Sequence, residues 1–114
     1  MSNIFYLQAG FGGPEERQYR MTGWRGSHVA YARGCDLVVE WYDFGEHVPY
    51  ESANLLVFAP PAQRQLAEAM GAPKNLAPQE IASRIPARFE CYFDVKDFAE
   101  GHAIPFETEI DFWP

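Results

Sequence analysis

The strongest constraint on how this chain can fold is an alternation of apolar and charged residues in its last quarter. A period of two is that of a β-strand with one buried and one solvated face. The pattern therefore predicts two strands of an antiparallel sheet whose charged face lies in water. Phe106, Thr108, Ile110 and Phe112 alternate with Glu107, Glu109, Asp111 and Trp113, and Phe89, Cys91, Phe93 and Val95 alternate with Arg88, Glu90, Tyr92 and Asp94.

Short apolar runs between turn residues predict the rest of the sheet. The runs are 4–7, 18–24, 28–32, 37–44 and 54–59. The four residues from Arg33 to Asp36 separate the third run from the fourth and predict a hairpin. The fourth run is partly apolar on both faces, which is typical of a central strand that is covered on one side by helix.

Two helices are predicted after the fifth run. Pro60-Pro61 suits a first helical turn, because proline there gives up no hydrogen bond. The helix predicted at 61–70 is stopped by Gly71, and the helix predicted at 78–85 is ended by Pro86. This order of elements predicts an α+β fold, a twisted antiparallel β-sheet of about five to six strands with two short helices packed on one face. The strand order cannot be read from the sequence.

The chain has 114 residues, of which 47% are hydrophobic and 16% aromatic. This is enough to bury a core, so we expect a single domain over residues 1–114. The first residues show no basic stretch followed by an apolar one, and no run is apolar enough to cross a membrane. We therefore expect a soluble, cytoplasmic protein.

The formal net charge is −7, and two segments carry most of the acidic residues. Residues 35–59 contain five carboxylates and no lysine or arginine, and residues 89–114 contain seven carboxylates and one lysine. Such a field repels phosphate backbones and anionic lipid, so we expect no direct binding to nucleic acid or membrane. It favours a basic protein partner. The alternative is that this charge only keeps a small domain soluble.

Carboxylates beside aromatic residues form the candidate partner-binding surface. If the two strands of the last quarter pair, five carboxylates line one sheet face beside a tyrosine and a tryptophan, which are common interface anchors. Like charges directly opposite each other destabilise a sheet, so a face that keeps them favours recognition. The alternative is an ordinary solvated face. The candidate residues are Glu90, Tyr92, Asp94, Glu107, Glu109, Asp111 and Trp113 on the strands, with Glu46, Tyr50 and Glu51 in the loop before run 54–59.

Patterns for metal binding and catalysis are sparse. The three histidines and two cysteines have none of the spacings of a local zinc site, so we expect no metal and no cofactor. Cys35 and Cys91 are expected to be reduced, with a bridge between them as the alternative. The most enzyme-like segment is 43–51, which places His47 among three carboxylates and a tyrosine. A carboxylate can orient a histidine for general base catalysis, and the alternative is a polar loop with a surface histidine.

Taken together, these features favour a binding protein over an enzyme. A small acidic domain with aromatic residues beside its carboxylates and no catalytic motif has the profile of an inhibitor. Bacterial immunity proteins and antitoxins, which neutralise a basic nuclease or another toxin, fit this profile. The alternatives are a small enzyme that uses His47, with or without His102, and an accessory structural subunit. A homodimer joined at an unpaired edge strand is also open.

Overall fold

The computed structural model describes residues 28–43 and 51–113. These residues form four strands and three helices. The strands are β1 (His28–Arg33), β2 (Asp36–Asp43), β3 (Glu51–Phe58) and β4 (Glu107–Trp113), and the helices between β3 and β4 are α1 (Pro60–Ala69), α2 (Pro78–Arg88) and α3 (Tyr92–Gly101). No helix in this part of the chain is long and apolar enough to cross a membrane.

The four strands form one antiparallel sheet in the order β1-β2-β3-β4. The helical segment thus connects two neighbouring strands, and β1 and β4 are the outer strands of the sheet that the described residues form. Arg33 and Asp36 lie opposite each other across the two-residue loop Gly34-Cys35, which confirms the predicted hairpin. Gly34 has a φ of +63° and Cys35 does not have a positive φ, which is the pattern of a type II′ turn.

All three helices pack on one face of the sheet, and the main core lies between the two layers. This confirms the α+β class, the antiparallel sheet and the helices on one face. The strands bury alternate residues there because their period is two. The helices bury residues that recur every three or four positions along the chain, which is the spacing of one helix face. The core includes Leu37, Val39, Leu56 and Phe58 from the strands and Leu66, Ile81, Ile85, Tyr92, Val95 and Ala99 from the helices.

The opposite face of the sheet carries a second, smaller cluster of buried residues. Glu40 lies on this face, is 1% exposed and accepts a hydrogen bond from the hydroxyl of Tyr31 at 2.8 Å. Burying a carboxylate is tolerated only where such partners replace water. The apolar members of this cluster are Val38, Tyr42, Ala53, Leu55 and Val57.

An ion pair across this second face shows how strongly the sheet is twisted. Arg33 in β1 donates from both terminal nitrogens to the two carboxylate oxygens of Glu109 in β4, at 3.0 and 2.9 Å. Two strands lie between these edges, and neighbouring strands are about 4.8 Å apart. The side chains meet because the sheet twists and curls toward this face.

The helix predicted at 61–70 is confirmed as α1, and Gly71 stops it as predicted. Gly71 has a φ of +77°. Its N–H donates to the carbonyl of Glu68 at 3.0 Å, and the N–H of Ala72 donates to that of Ala67 at 2.8 Å. This pair of bonds is a Schellman motif, which satisfies carbonyls that the helix end leaves open.

The helix predicted at 78–85 is confirmed as α2, but the predicted stop at Pro86 is wrong. The helix contains Pro86 and continues to Arg88. Pro86 gives up its own N–H bond and crowds the carbonyl of Ala82, yet the backbone stays helical for two more residues. The helix retains the bond from the N–H of Phe89 to the carbonyl of Ile85 at 2.9 Å.

The strand predicted at 88–95 is also wrong, because α3 begins at Tyr92. Tyr92, Val95 and Ala99 are buried at helical spacing, whereas Phe93 is 44% exposed although the alternation placed it on the apolar face. The eight residues 88–95 fit both the two-residue period of a strand and the 3.6-residue period of a helix. Only the continuation of the helical spacing to Ala99 distinguishes the two. Asp94 supports the helix start, since its Oδ2 accepts the N–H of Glu90 at 3.2 Å.

The predicted count of five to six strands and two helices therefore needs correction. The described residues contain four strands and three helices. The additional helix is α3, and it replaces the strand predicted at 88–95. The predicted strands at 4–7 and 18–24 lie outside the described residues.

Candidate functional site

Strand β4 gives the sheet an exposed acidic edge. Glu107, Glu109 and Asp111 share the face that points away from the helices, as the alternation predicted, and we call these three residues the acidic edge. All of residues 107–111 are exposed. Ile110, on the helix side of the same strand, is 59% exposed. Within the described residues, no strand pairs with the outer side of β4.

The three carboxylates of the acidic edge have different surroundings. Glu109 is held by Arg33, whose hydrogen bonds lower the pKa of Glu109, while the same contact raises the pKa of Arg33. In the described part of the chain, Glu107 and Asp111 make no ion pair. Among the described residues, Glu107 and Asp111 therefore carry the charge of the acidic edge that no ion pair offsets, whereas Glu109 holds β4 to Arg33 of β1.

Glu51 and Trp113 lie next to the acidic edge, where β3 begins and β4 ends. They are opposite each other in the sheet register. Glu51 is exposed, and it accepts a hydrogen bond from the hydroxyl of Tyr42. The two remaining candidates of that loop, Glu46 and Tyr50, lie outside the described residues.

The candidates Glu90, Tyr92 and Asp94 do not join the acidic edge. The strand pairing on which their grouping depended does not form, because β4 pairs with β3 and these residues lie in or before α3. Tyr92 is 6% exposed and belongs to the main core, where burial raises its pKa. Glu90 and Asp94 are exposed in the helical layer. Tyr92 is thus a core residue in this fold.

A groove of about 470 Å³ lies where β4 begins, and we call it the acidic groove. Two carboxylates, Asp36 and Glu107, line it together with the half-buried ring of Phe106. The sequence offers no signal for this site, because Asp36 and Glu107 are far apart in the chain and only the order of the strands joins them. The other lining residues are Val57, Ala59, Pro61, Ala62 and Pro105.

The segment predicted as an acid/base site is described only at its ends. Asp43 is buried at 4% exposure, and His47 lies outside the described residues. His102 is exposed at the end of α3, with its ring 4.3 Å from that of Phe98. Cys35 and Cys91 are free thiols, so the alternative of a bridge between them is wrong. Within the described residues, no group of three or more His, Cys, Asp or Glu side chains is placed to hold a metal ion.

The acidic edge and the acidic groove are contiguous, because Glu107 belongs to both. Together they form an extended surface with carboxylates, an aromatic ring and a strand edge that no other described strand pairs with. Comparison with protein-family models, curated proteins and solved structures finds no significant match to this chain.

Proposed function

We propose that this protein is an acidic binding domain that neutralises a basic partner protein at the β4 edge. One observation carries the proposal: an edge strand exposes residues 107–111 and presents carboxylates on one face. An extended segment of a partner can continue a sheet at such an edge through main-chain hydrogen bonds, and its side chains then provide specificity. The preferred segment has lysine or arginine at every second position.

The acidic groove supports this proposal, because it suits one basic side chain of the same segment. Asp36 and Glu107 supply negative charge at the start of β4, and Phe106 supplies an aromatic ring. Lysine and arginine bury their aliphatic stems against apolar walls while their charged ends meet carboxylates. The arginine guanidinium also stacks on aromatic rings. The groove would thus bind the anchor residue of the partner.

The charge of the edge favours a basic partner over a second copy of the chain. Antiparallel pairing of β4 with its own copy about Glu109 places Glu107 opposite Asp111 and Glu109 opposite itself. Like charges directly opposite are destabilising. A basic strand in the same position instead forms an opposite-charge pair at each site. Charged residues on edge strands commonly prevent self-association in this way.

Neutralisation follows if the basic segment belongs to the working surface of the partner. A nuclease, for example, needs its positive surface to hold phosphates. Covering that surface with carboxylates blocks the nucleic acid, which is how we expect an immunity-like or antitoxin-like inhibitor to act. The net charge of −7 would also accelerate the encounter at low salt.

The test is a capture experiment from lysate with matched charge variants. Glu107→Lys/Asp111→Lys reverses the two carboxylates of the edge that are not held by Arg33. Glu68→Lys/Glu100→Lys makes the same change in net charge at two exposed positions of α1 and α3. We expect a basic protein to bind the native chain and the helix variant, and to be released as salt rises. We expect the edge variant to lose it.

Equal recovery by both variants, or no recovery by the native chain, would contradict the proposal. The captured protein is then assayed for its own activity with and without the native domain. We expect stoichiometric inhibition that the edge variant fails to produce. If the captured protein kept its full activity in the complex, the proposed binding would stand but the proposed neutralisation would be wrong.

A further inference from the structure

We propose that a second pocket, on the helical side of the β1–β2 turn, binds a small organic anion. This basic pocket has a volume of about 410 Å³, within the range of small-molecule sites. It shares no residue with the acidic edge or the acidic groove, so the proposal does not depend on the function proposed above. Its lining residues are Gly34, Cys35, Pro60, Gln63, Arg64, Lys74, Asn75, Leu76 and Pro78.

The charge of the pocket is opposite to that of the protein. Arg64 and Lys74 line it, and no aspartate or glutamate of the described residues does, although the chain has a net charge of −7. Both side chains are exposed enough to reach a ligand. Arginine and lysine are the side chains that bind carboxylate and phosphate groups, arginine through two parallel hydrogen bonds. The ligand we infer therefore carries an oxyanion.

Two helices begin at this pocket, and the start of α1, which has no acidic residue in its first turn, adds to the positive potential. Pro60 and Pro78 are the first residues of α1 and α2, and both line the pocket. The N-terminus of a helix carries a partial positive charge. At α1 that charge has the same sign as Arg64 and Lys74 and reinforces the site, whereas at α2 the carboxylate of Glu80, which accepts the N–H of Ala77 at 2.9 Å, offsets it.

One wall of the pocket is held in place by Gln63. Gln63 is 4% exposed, and its Nε2 donates to the carbonyls of Cys35 at 2.7 Å and Phe58 at 2.9 Å. These bonds fasten α1 to the hairpin turn on one side of the pocket and to the end of β3. A preformed site binds more tightly because it spends less on ordering.

The uncharged residues that line the pocket indicate which groups the ligand carries besides its oxyanion. Leu76 and the two prolines offer apolar surface, and Asn75 offers an amide that donates and accepts hydrogen bonds. The volume suits a compact molecule with a ring or short chain beside its anionic group. We therefore expect an aryl or alkyl carboxylate or phosphate of small size.

The test is a titration followed by NMR, with phenyl phosphate, benzoate, inorganic phosphate and neutral benzyl alcohol as probes. We expect phenyl phosphate or benzoate to shift amide resonances around the pocket, and benzyl alcohol to bind much more weakly. Arg64→Gln/Lys74→Gln should weaken binding at least about tenfold, since charged hydrogen bonds of this kind are lost. Arg84→Gln/Lys96→Gln removes the same charge outside the pocket and should leave affinity within twofold.

Cys35 provides a second readout that does not depend on the variants. Its thiol is exposed and lines the pocket. We expect bound phenyl phosphate to slow the reaction of Cys35 with an uncharged thiol reagent, followed by peptide mass spectrometry, while Cys91 reacts at an unchanged rate. The proposal would be overturned if no anion changed the amide chemical shifts around the pocket and none changed the reaction rate of Cys35. If benzyl alcohol bound as tightly as phenyl phosphate, the ligand would not need an anionic group. If inorganic phosphate bound as tightly as phenyl phosphate, the ligand would not need an organic part. Either result would contradict the proposed ligand class.

Discussion

Single residues set the ends of the helices in this fold, and Ala103, which follows α3, does so in a backbone conformation that is unfavourable for a residue with a side chain. Within the described residues it is the one residue other than glycine with a positive φ, at +57°. Its N–H donates to the carbonyl of Glu100 at 3.2 Å, and that of Ile104 donates to Ala99 at 2.9 Å. This is the same Schellman motif that Gly71 forms after α1, but with a side chain where glycine is preferred.

We predict that Ala103→Gly stabilises the protein. The left-handed conformation costs an L-residue about 1–2 kcal/mol, and part of the relief is offset by the larger freedom of glycine in the unfolded chain. The net gain in the free energy of unfolding should be about 0.5–1 kcal/mol by urea denaturation. Gly71→Ala, made at the equivalent position of α1, should lower stability by about as much. A loss of stability in Ala103→Gly would contradict this account.

The Arg33–Glu109 pair should make stability depend on pH in acid. Arg33 lowers the pKa of Glu109 in the folded protein below its ordinary value of 4.5. A lowered pKa means that the contribution is present above 4.5 and is lost as the pH falls through the folded value. The side chains are 33% and 43% exposed, so solvent limits the contribution to about 1 kcal/mol or less.

Glu109→Gln should therefore be less stable than the native chain near neutral pH and equal to it in acid. Urea denaturation over a pH series measures this difference. Glu107→Gln, which changes the same face but breaks no ion pair of the described residues, should show no such loss at neutral pH. A constant difference between Glu109→Gln and the native chain at all pH values would exclude the ion pair as its cause.

At the scale of elements, Gln63 is a buried polar side chain that joins α1 to the sheet. Gln63→Leu keeps the size of the side chain but leaves the buried carbonyls of Cys35 and Phe58 without this donor. We predict a loss of about 1–3 kcal/mol in the free energy of unfolding. Gln65→Leu, at an exposed position of the same helix, should change stability by about 0.5 kcal/mol or less. Equal effects of the two variants would show that the buried bonds contribute nothing.

Elements with strong local signals could be predicted from the sequence. The hairpin around Gly34, the apolar strand β3 and the helix that starts at Pro60 are confirmed because turn residues and period agree there. The segment 88–95 was misassigned as a strand because it fits two periods over a short window. The stop predicted at Pro86 is wrong, because the loss of one N–H donor and the crowding of one carbonyl near the helix end still allow two further helical residues.

The candidate site could be predicted only where it lies on one strand. The alternation of Glu107, Glu109 and Asp111 is local, and the structure keeps them on one face. The burial of Tyr92 and the placement of Asp36 and Glu107 in one groove depend on strand order and helix packing. Neither of these can be derived from spacing in a single sequence, so the groove was missed.

For the whole molecule, the distribution of charge around the start of α1 is the main feature. Pro61 lines the acidic groove and its neighbour Pro60 lines the basic pocket. Two sites of opposite charge thus lie on either side of one helix end. The acidic groove continues into the β4 edge, whereas the basic pocket is bounded by the α1–α2 connection. We therefore expect them to bind different ligands.

We predict that the native chain is a monomer near neutral pH, because pairing of two β4 edges would oppose their carboxylates. Glu107→Gln/Asp111→Asn removes the repulsion between Glu107 and Asp111 and leaves Glu109 paired with Arg33. The variant should show more self-association by sedimentation velocity, since uncharged edges pair more readily. A stable dimer of the native chain joined through β4 would contradict the role given to these charges.

Hydrogen exchange of the domain alone and in complex with its captured basic partner tests the central claim most directly. If the partner continues the sheet, backbone amides of residues 107–111 that point outward become hydrogen bonded. We predict slower exchange concentrated in these residues and around Asp36, with little change on the exposed faces of α1, α2 and α3. Protection that appears on the helices and leaves 107–111 unchanged would show that the partner binds elsewhere, and would contradict the account.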